Sequence, residues 1–147
     1  MTQQVTDADL GHLRRCVQLA VQAVEAGDFP FGSVLVAADG TGLAEDRNLE
    51  VTTGDPTRHP EFALTRWAAT NMTPPERAAA TVYTSGEHCP MCAAAHGWAG
   101  LGCPNTGLPA VASLRPVCGH LPGHPRSLLI TDGCDRPAGP PGLYAAC

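Results

Sequence analysis

Helix-period and strand-length apolar patterns alternate along the first hundred residues of this chain, and that alternation predicts an α/β fold. Three features carry the prediction. A long amphipathic helix opens the chain, a strand–turn–strand unit follows it, and a further short strand lies between two helices.

The first helix is expected to start at Thr6, whose hydroxyl can cap it, with Asp9 three residues on as the acidic partner of a capping box. Leu10, Leu13, Val17, Ala20, Val21 and Val24 then recur at helical spacing and are expected to form the face that packs on a sheet. Gly27 is a fitting stop. Phe31 to Ala37 is an apolar run of strand length, Asp39-Gly40 makes a turn, and Leu43 to Asn48 is a second strand, so a hairpin is expected. Residues 50 to 58 hold Thr, Gly, Asp and Pro and read as a loop. A helix is expected from His59 to Asn71, broken by Thr73-Pro74-Pro75-Glu76. Ala80 to Thr84 reads as a short strand, and a third helix is expected from Cys89 to Gly100.

Beyond Gly100 the composition changes. The last 47 residues hold eight of the 14 Pro and four of the seven Cys, and no Glu. Val111 to Leu114 and Leu128 to Thr131 are their only strand-like runs. The 147 residues thus read as a single domain, 1–147, with a core over 7–100 and an irregular, divergent segment over 101–147.

Composition also narrows the partners. Hydrophobic residues make up 44% of the chain, enough for a core. The net charge is −5, and all nine basic residues are scattered Arg. A polynucleotide-binding face is usually basic, so a small substrate and no nucleic acid are expected. No apolar run reaches the ~20 residues of a membrane span. Met1 to Leu10 is polar and acidic, unlike a signal peptide, so a cytoplasmic location is expected. There the cysteines stay mostly reduced, which favours metal or catalytic roles over disulfides.

Two short motifs carry the chemistry: His59-Pro60-Glu61 and Cys89-Pro90-Met91-Cys92, each opening a predicted helix. A Cys-x-x-Cys pair at a helix start places two sulfurs within reach of one ion, and the positive end of the helix favours their thiolates. Zinc takes mixed sulfur and nitrogen ligands tetrahedrally, and catalytic sites keep the fourth position for water. His59, Cys89 and Cys92 are therefore the expected zinc ligands. Glu61 is not needed as a ligand and can move protons between water and substrate. Either motif alone is weak, and structural zinc or thiol redox chemistry are the rival readings. The two together form the signature of zinc deaminases.

Four segments resemble the cytidine deaminase superfamily, and within it the guanine deaminase and tRNA adenosine deaminase branch. They are Phe29-Pro30-Phe31-Gly32-Ser33-Val34-Leu35-Val36, Asn48 with Asp55-Pro56-Thr57-Arg58-His59-Pro60-Glu61, Ser85-Gly86-Glu87-His88-Cys89-Pro90-Met91-Cys92, and Trp98. The resemblance covers roughly residues 7 to 100 and implies a three-layer α/β/α sandwich. It further implies that Asn48 hydrogen-bonds a base and that Phe31 lines the pocket. The backbone around Gly32-Ser33 and Pro60-Glu61 would read ring atoms, Trp98 would stand beside the substrate, and Glu87 would assist a second proton transfer. Core packing is the alternative for Phe31 and Trp98, and a turn role the alternative for Asn48.

By this resemblance the chain hydrolyses a free nucleobase, guanine-like first, with cytosine-, azapyrimidine- or triazine-type bases next, and forms a homodimer. A contrasting possibility is an inactive zinc-stabilised interaction module. Three departures stand out. His88 replaces a Pro before the first Cys, Pro60 replaces an Ala, and Leu101 to Gly107 replaces an Ile/Val-rich strand. The last marks 101–147 as a divergent ending of the kind a shifted reading frame would leave. Asp132 and Asp135 are the candidates for the family's downstream acidic contact.

Overall fold

In a computed structural model of the chain, residues 6–102 and 111–113 are described. Helix α1 (Asp7–Glu25) opens them, closed at its start by the expected box: the Thr6 hydroxyl accepts from the Asp9 N–H, and the Asp9 carboxylate accepts from the Thr6 N–H. The hairpin follows as β1 (Gly32–Val36) and β2 (Gly42–Arg47), turning at Asp39-Gly40. Next come α2 (Glu50–Thr53), α3 (Pro60–Asn71), α4 (Pro74–Ala79), β3 (Thr81–Thr84), α5 (Pro90–Ala99) and β4 (Val111–Ser113). The sheet order is β2-β1-β3-β4, with β1 antiparallel to both neighbours and β4 parallel to β3.

Every residue of β1 is buried, as a central strand covered on both faces requires. Successive side chains of a strand point to opposite faces. Val34 and Val36 meet Leu13, Cys16 and Leu19 of α1, with Tyr83 beside them. Leu35 points the other way, into a cluster with Leu64 and Ala68 of α3, Val82, and Leu101 beyond α5. Helices therefore lie on both faces of the sheet, and the described part has the three-layer arrangement expected.

Three local expectations need correction. The stripe assigned to the buried face of α1 is largely exposed: Leu10, Val17, Val21 and Val24 are 37% to 55% accessible. Leu13 and Ala20 are buried as expected, together with Cys16, Leu19 and Ala23, so the buried face is turned by about 90° from the predicted one. The closest approach of that face to the sheet is at Gly32. A Cβ at that position would sit 2.5 Å from the Cys16 carbonyl oxygen and 2.8 Å from the Ala20 nitrogen. The α1 backbone between Cys16 and Ala20 lies so close to β1 that no side chain fits at position 32, and Leu13, Cys16 and Leu19 pack on Val34 and Val36 instead of the valines of the helix.

Second, residues 50–58 are not all loop, because they begin with α2, which ends at Gly54 in the left-handed conformation (φ 67°). Third, Thr73-Pro74-Pro75-Glu76 ends α3 but also starts α4. Thr73 and Glu76 form a second capping box, and the prolines occupy the helix's first positions, where no N–H is needed. The strand-like run 128–131, Asp132, Asp135 and the shifted-frame reading all lie outside the described residues. No helix among the described residues is long and apolar enough to cross a membrane.

Gly32→Ala is expected to destabilise the protein by about 2 kcal/mol, since the clash is with backbone and cannot be relieved by a rotamer change. Urea unfolding reads this, and an unchanged midpoint would refute the close approach.

Candidate metal centre

Two helix starts converge beneath the sheet. His59 is the N-cap of α3 and Cys89 the N-cap of α5, both in extended conformation, and each is followed by a proline at the first helical position. The Cys89 sulfur accepts the Cys92 N–H at 3.4 Å, so the second cysteine falls one turn into the helix, beside the first. The turn before His59 is held by Asp55, whose carboxylate accepts from the N–H and hydroxyl of Thr57 at 2.8 and 2.7 Å. Upstream, the Leu49 N–H bonds to the Arg58 carbonyl at 3.1 Å and closes the loop between α2 and α3.

His59 Nδ1 lies 3.5 Å from Cys89 Sγ and 3.6 Å from Cys92 Sγ, and the sulfurs are 3.5 Å apart. Tetrahedral zinc, with bonds of about 2.3 Å to sulfur and about 2.05 Å to nitrogen, spaces its donors about 3.8 Å (S to S) and about 3.6 Å (S to N). The donor set fits that ion in both type and spacing. Among the described residues, no other group of three His, Cys, Asp or Glu donors clusters within 4.8 Å.

The electrostatics suit a metal. The Cys89 thiol is lowered to about 4, chiefly by its hydrogen bond with Cys92 and then by that with His59, against the cost of burial. Cys92 is pushed up, first by Cys89 and then by burial. Thiolate is thus favoured at Cys89, and binding of an ion would displace the remaining thiol proton. His59 is raised, mainly by its hydrogen bond with Cys89.

Glu61 is 3% exposed. Its Oε1 accepts the Thr84 hydroxyl at 3.0 Å, and its Oε2 lies 3.9 Å from Cys92 Sγ. Burial raises its pKa, opposed by its hydrogen bonds. A carboxyl held in this way, beside three donors and free to lose its proton, is the arrangement of a proton carrier. His88 does not face solvent: its ring packs edge-on against His96 at 4.4 Å, and burial, aided by His96, lowers its pKa to about 3, keeping it neutral.

The other expected site residues fall unevenly around this centre. Pro60 is buried at the start of α3. Phe31 is half-buried beside β1, its carbonyl accepting the Asn48 N–H at 2.9 Å. Asn48 is fully buried. Its Oδ1 accepts the N–H groups of Phe29 (3.4 Å) and Glu50 (3.0 Å), and its Nδ2 donates to Glu50 Oε1 at 2.7 Å. The turn role therefore absorbs most of its hydrogen-bonding capacity and leaves one amide N–H for a base.

The backbone of Gly32 is engaged by Ser85, through both its N–H (3.1 Å) and its carbonyl (3.0 Å). Ser33 sits in the sheet between Asp46 and Thr84. The strand thus uses groups that were expected to read a ring. Glu87 is exposed in the loop before Cys89. Trp98 is 74% exposed near the far end of α5, about 9 Å along the helix axis from Cys92. Neither is brought to the three donor atoms.

Sequence reasoning missed one residue at the centre. Glu50 Oε1 lies 3.1 Å from His59 Nε2, on the side of the ring away from the sulfurs. Its position in an apparent loop concealed it, and its only signal is an acidic residue two places after Asn48.

Residues 6–103 match the family model of the cytidine and deoxycytidylate deaminase zinc-binding region. The chain is 42% identical over 88 residues to the guanine deaminase of Bacillus subtilis, covering 59% of this chain and 56% of that protein. It thus spans little more than half of that relative's length. Among solved structures, a tRNA:A34 deaminase that carries out A-to-I editing at the wobble position superposes with a TM-score of 0.55 at 34% identity, over 63% of this chain and 70% of that one. The B. subtilis guanine deaminase structure gives 0.54 at 39% identity, over 61% and 57%.

One zinc ion per chain is expected by elemental analysis, falling below a tenth in Cys92→Ala. After chelation, iodoacetamide at mildly acidic pH should alkylate Cys89, a thiolate above about pH 4, and spare Cys16, whose thiol burial pushes up to about 12. Equal labelling of the two, read by peptide mass, would contradict this electrostatic account.

Proposed function

The chain belongs to the cytidine and deoxycytidylate deaminase family, and on that premise we propose that it is a zinc-dependent aminohydrolase acting on a small free nucleobase, guanine or a related aminated purine first. The observation that carries this reading is the buried Glu61 carboxyl within 3.9 Å of a sulfur of the three-donor group. The 42% identity to a guanine deaminase favours the purine. The net charge of −5 and the absence of Lys favour a small substrate over tRNA. Cytosine-, azapyrimidine- and triazine-type bases are the next candidates, because pockets of this kind differ by a few contacts.

His59, Cys89 and Cys92 would hold the ion, which supplies Lewis acidity that activates water as a nucleophile near neutral pH. Glu61 does the proton work. Its carboxylate accepts a proton from the attacking water and delivers it to a ring nitrogen as the water oxygen bonds to the amino-bearing carbon. It then carries the second water proton to the leaving amine, the carbon–nitrogen bond breaks, and ammonia and the oxo-base result. Water and the amino base balance the products, and Glu61 ends as it began. Thr84 holds Oε1 throughout, leaving Oε2 as the oxygen that exchanges protons. Burial raises Glu61's proton affinity, which suits it to take and return a proton near neutrality. The remaining amide N–H of Asn48 would contact the base, with Phe31 and Pro60 beside it. The proposal also includes a cytoplasmic homodimer, whose mass sedimentation would read.

Ammonia release against a panel of free bases and a tRNA substrate tests the reading. Guanine or another aminated purine should turn over fastest. Turnover of tRNA alone, or of nothing with zinc bound, would overturn it. Glu61→Ala should keep its zinc and lose activity by about 10³-fold. Retained turnover would remove Glu61 from the mechanism.

A further inference from the structure

A single carboxylate oxygen joins the expected metal ligand to the expected base contact. Glu50 Oε1 accepts from Asn48 Nδ2 at 2.7 Å and lies 3.1 Å from His59 Nε2. Both side chains of the Glu50–His59 pair are mostly shielded, at 19% and 24% exposure. The other ring nitrogen of His59 faces the two sulfurs.

We infer that Glu50 is a positioning residue of the metal centre: it holds His59 as the Nε2–H tautomer, so that Nδ1 is the lone-pair nitrogen presented to the ion, and ties that imidazole to Asn48. The inference rests on the metal-centre reading and adds to it a residue outside the signature motifs. Neutral imidazole has one N–H and one acceptor nitrogen, and the partner of the N–H decides which nitrogen binds a metal. A carboxylate is the strongest such partner, and ligating histidines are commonly held this way.

The surrounding fold is arranged to keep Glu50 in place. Its N–H is fixed by Asn48 Oδ1. Two residues on, the N–H and hydroxyl of Thr52 both bond to the buried Asp28 carboxylate, at 2.8 and 2.6 Å. Arg47 reaches the same carboxylate at 3.0 Å. Helix α2 is thereby pinned to the end of α1 and to β2, and the Leu49–Arg58 bond returns the chain so that Glu50 meets His59. Asn48 and the metal then share one hydrogen-bonded unit, through which a change at the base contact would reach the imidazole.

The test compares full-length wild type with Glu50→Ala and Glu50→Gln. Zinc affinity by competition with a chromogenic chelator should fall 10- to 100-fold in Glu50→Ala. It should fall less in Glu50→Gln, which keeps an acceptor oxygen. Long-range ¹H–¹⁵N spectra of the zinc-free proteins, at a pH where the ring is neutral, should show His59 mainly as the Nε2–H tautomer in wild type and as a mixture in Glu50→Ala. The zinc-free melting temperatures of the three proteins should agree, which separates positioning from a plain loss of fold. If Glu50→Ala does not fold, Glu50→Gln carries the test through its tautomer ratio and affinity. Wild-type zinc affinity in Glu50→Ala, together with a wild-type tautomer ratio in its zinc-free form, would overturn the role of Glu50 alone. A wild type that binds no zinc would overturn the metal reading with it.

Discussion

The first residues of two helices carry three donor atoms to within 3.6 Å of one another, and the rest of the described structure serves that meeting. Two sulfurs and an imidazole gathered so closely shift one another's proton affinities. One thiol is pulled to about 4 while its partner is pushed upward, and the imidazole is drawn toward protonation by the nearer sulfur. A divalent cation bound there would take the deprotonated form of all three groups. The positive ends of α3 and α5 point at the same spot and favour thiolate there.

Rigid support comes from the layers. Strand β1, buried along its whole length, receives α1 on one face and the α3 cluster on the other. Gly32 fixes how near α1 can come. Strand β3 runs straight into the loop that ends at Cys89, and its last residue, Thr84, is the hydroxyl that holds Glu61. The Glu61 carboxyl and the sulfurs are therefore set by adjacent positions of one strand, its loop and the helix beside it. Their separation is a property of the sheet rather than of a mobile side chain.

Much of this was legible from residue types alone. The Thr6–Asp9 box, the Asp39-Gly40 turn, and the starts of α3 and α5 follow from local rules of capping and turn chemistry, which act over three or four residues and need no tertiary information. The three-donor group was legible because zinc chemistry restricts both the residue types and their spacing. The buried face of α1 was legible only at Leu13 and Ala20, since both faces of the helix carry apolar residues and the close approach at Gly32, visible only in three dimensions, goes with burial of the one through Cys16 and Leu19. Helix α2 was hidden because its stability lies in Asp28, 24 residues away from Thr52. Without α2 there was no way to see that Glu50 backs His59. Asn48 was recognised by motif, but its local bonds to Phe29 and Glu50 are visible only in three dimensions.

The most direct measurement is zinc-edge X-ray absorption on the purified full-length protein. A centre built from His59, Cys89 and Cys92 with one open position predicts two sulfur neighbours at about 2.3 Å and two nitrogen or oxygen neighbours at about 2.0 Å. Three or four sulfurs around the metal would contradict the account, because they would recruit cysteines from outside the two motifs and close the position that water must occupy.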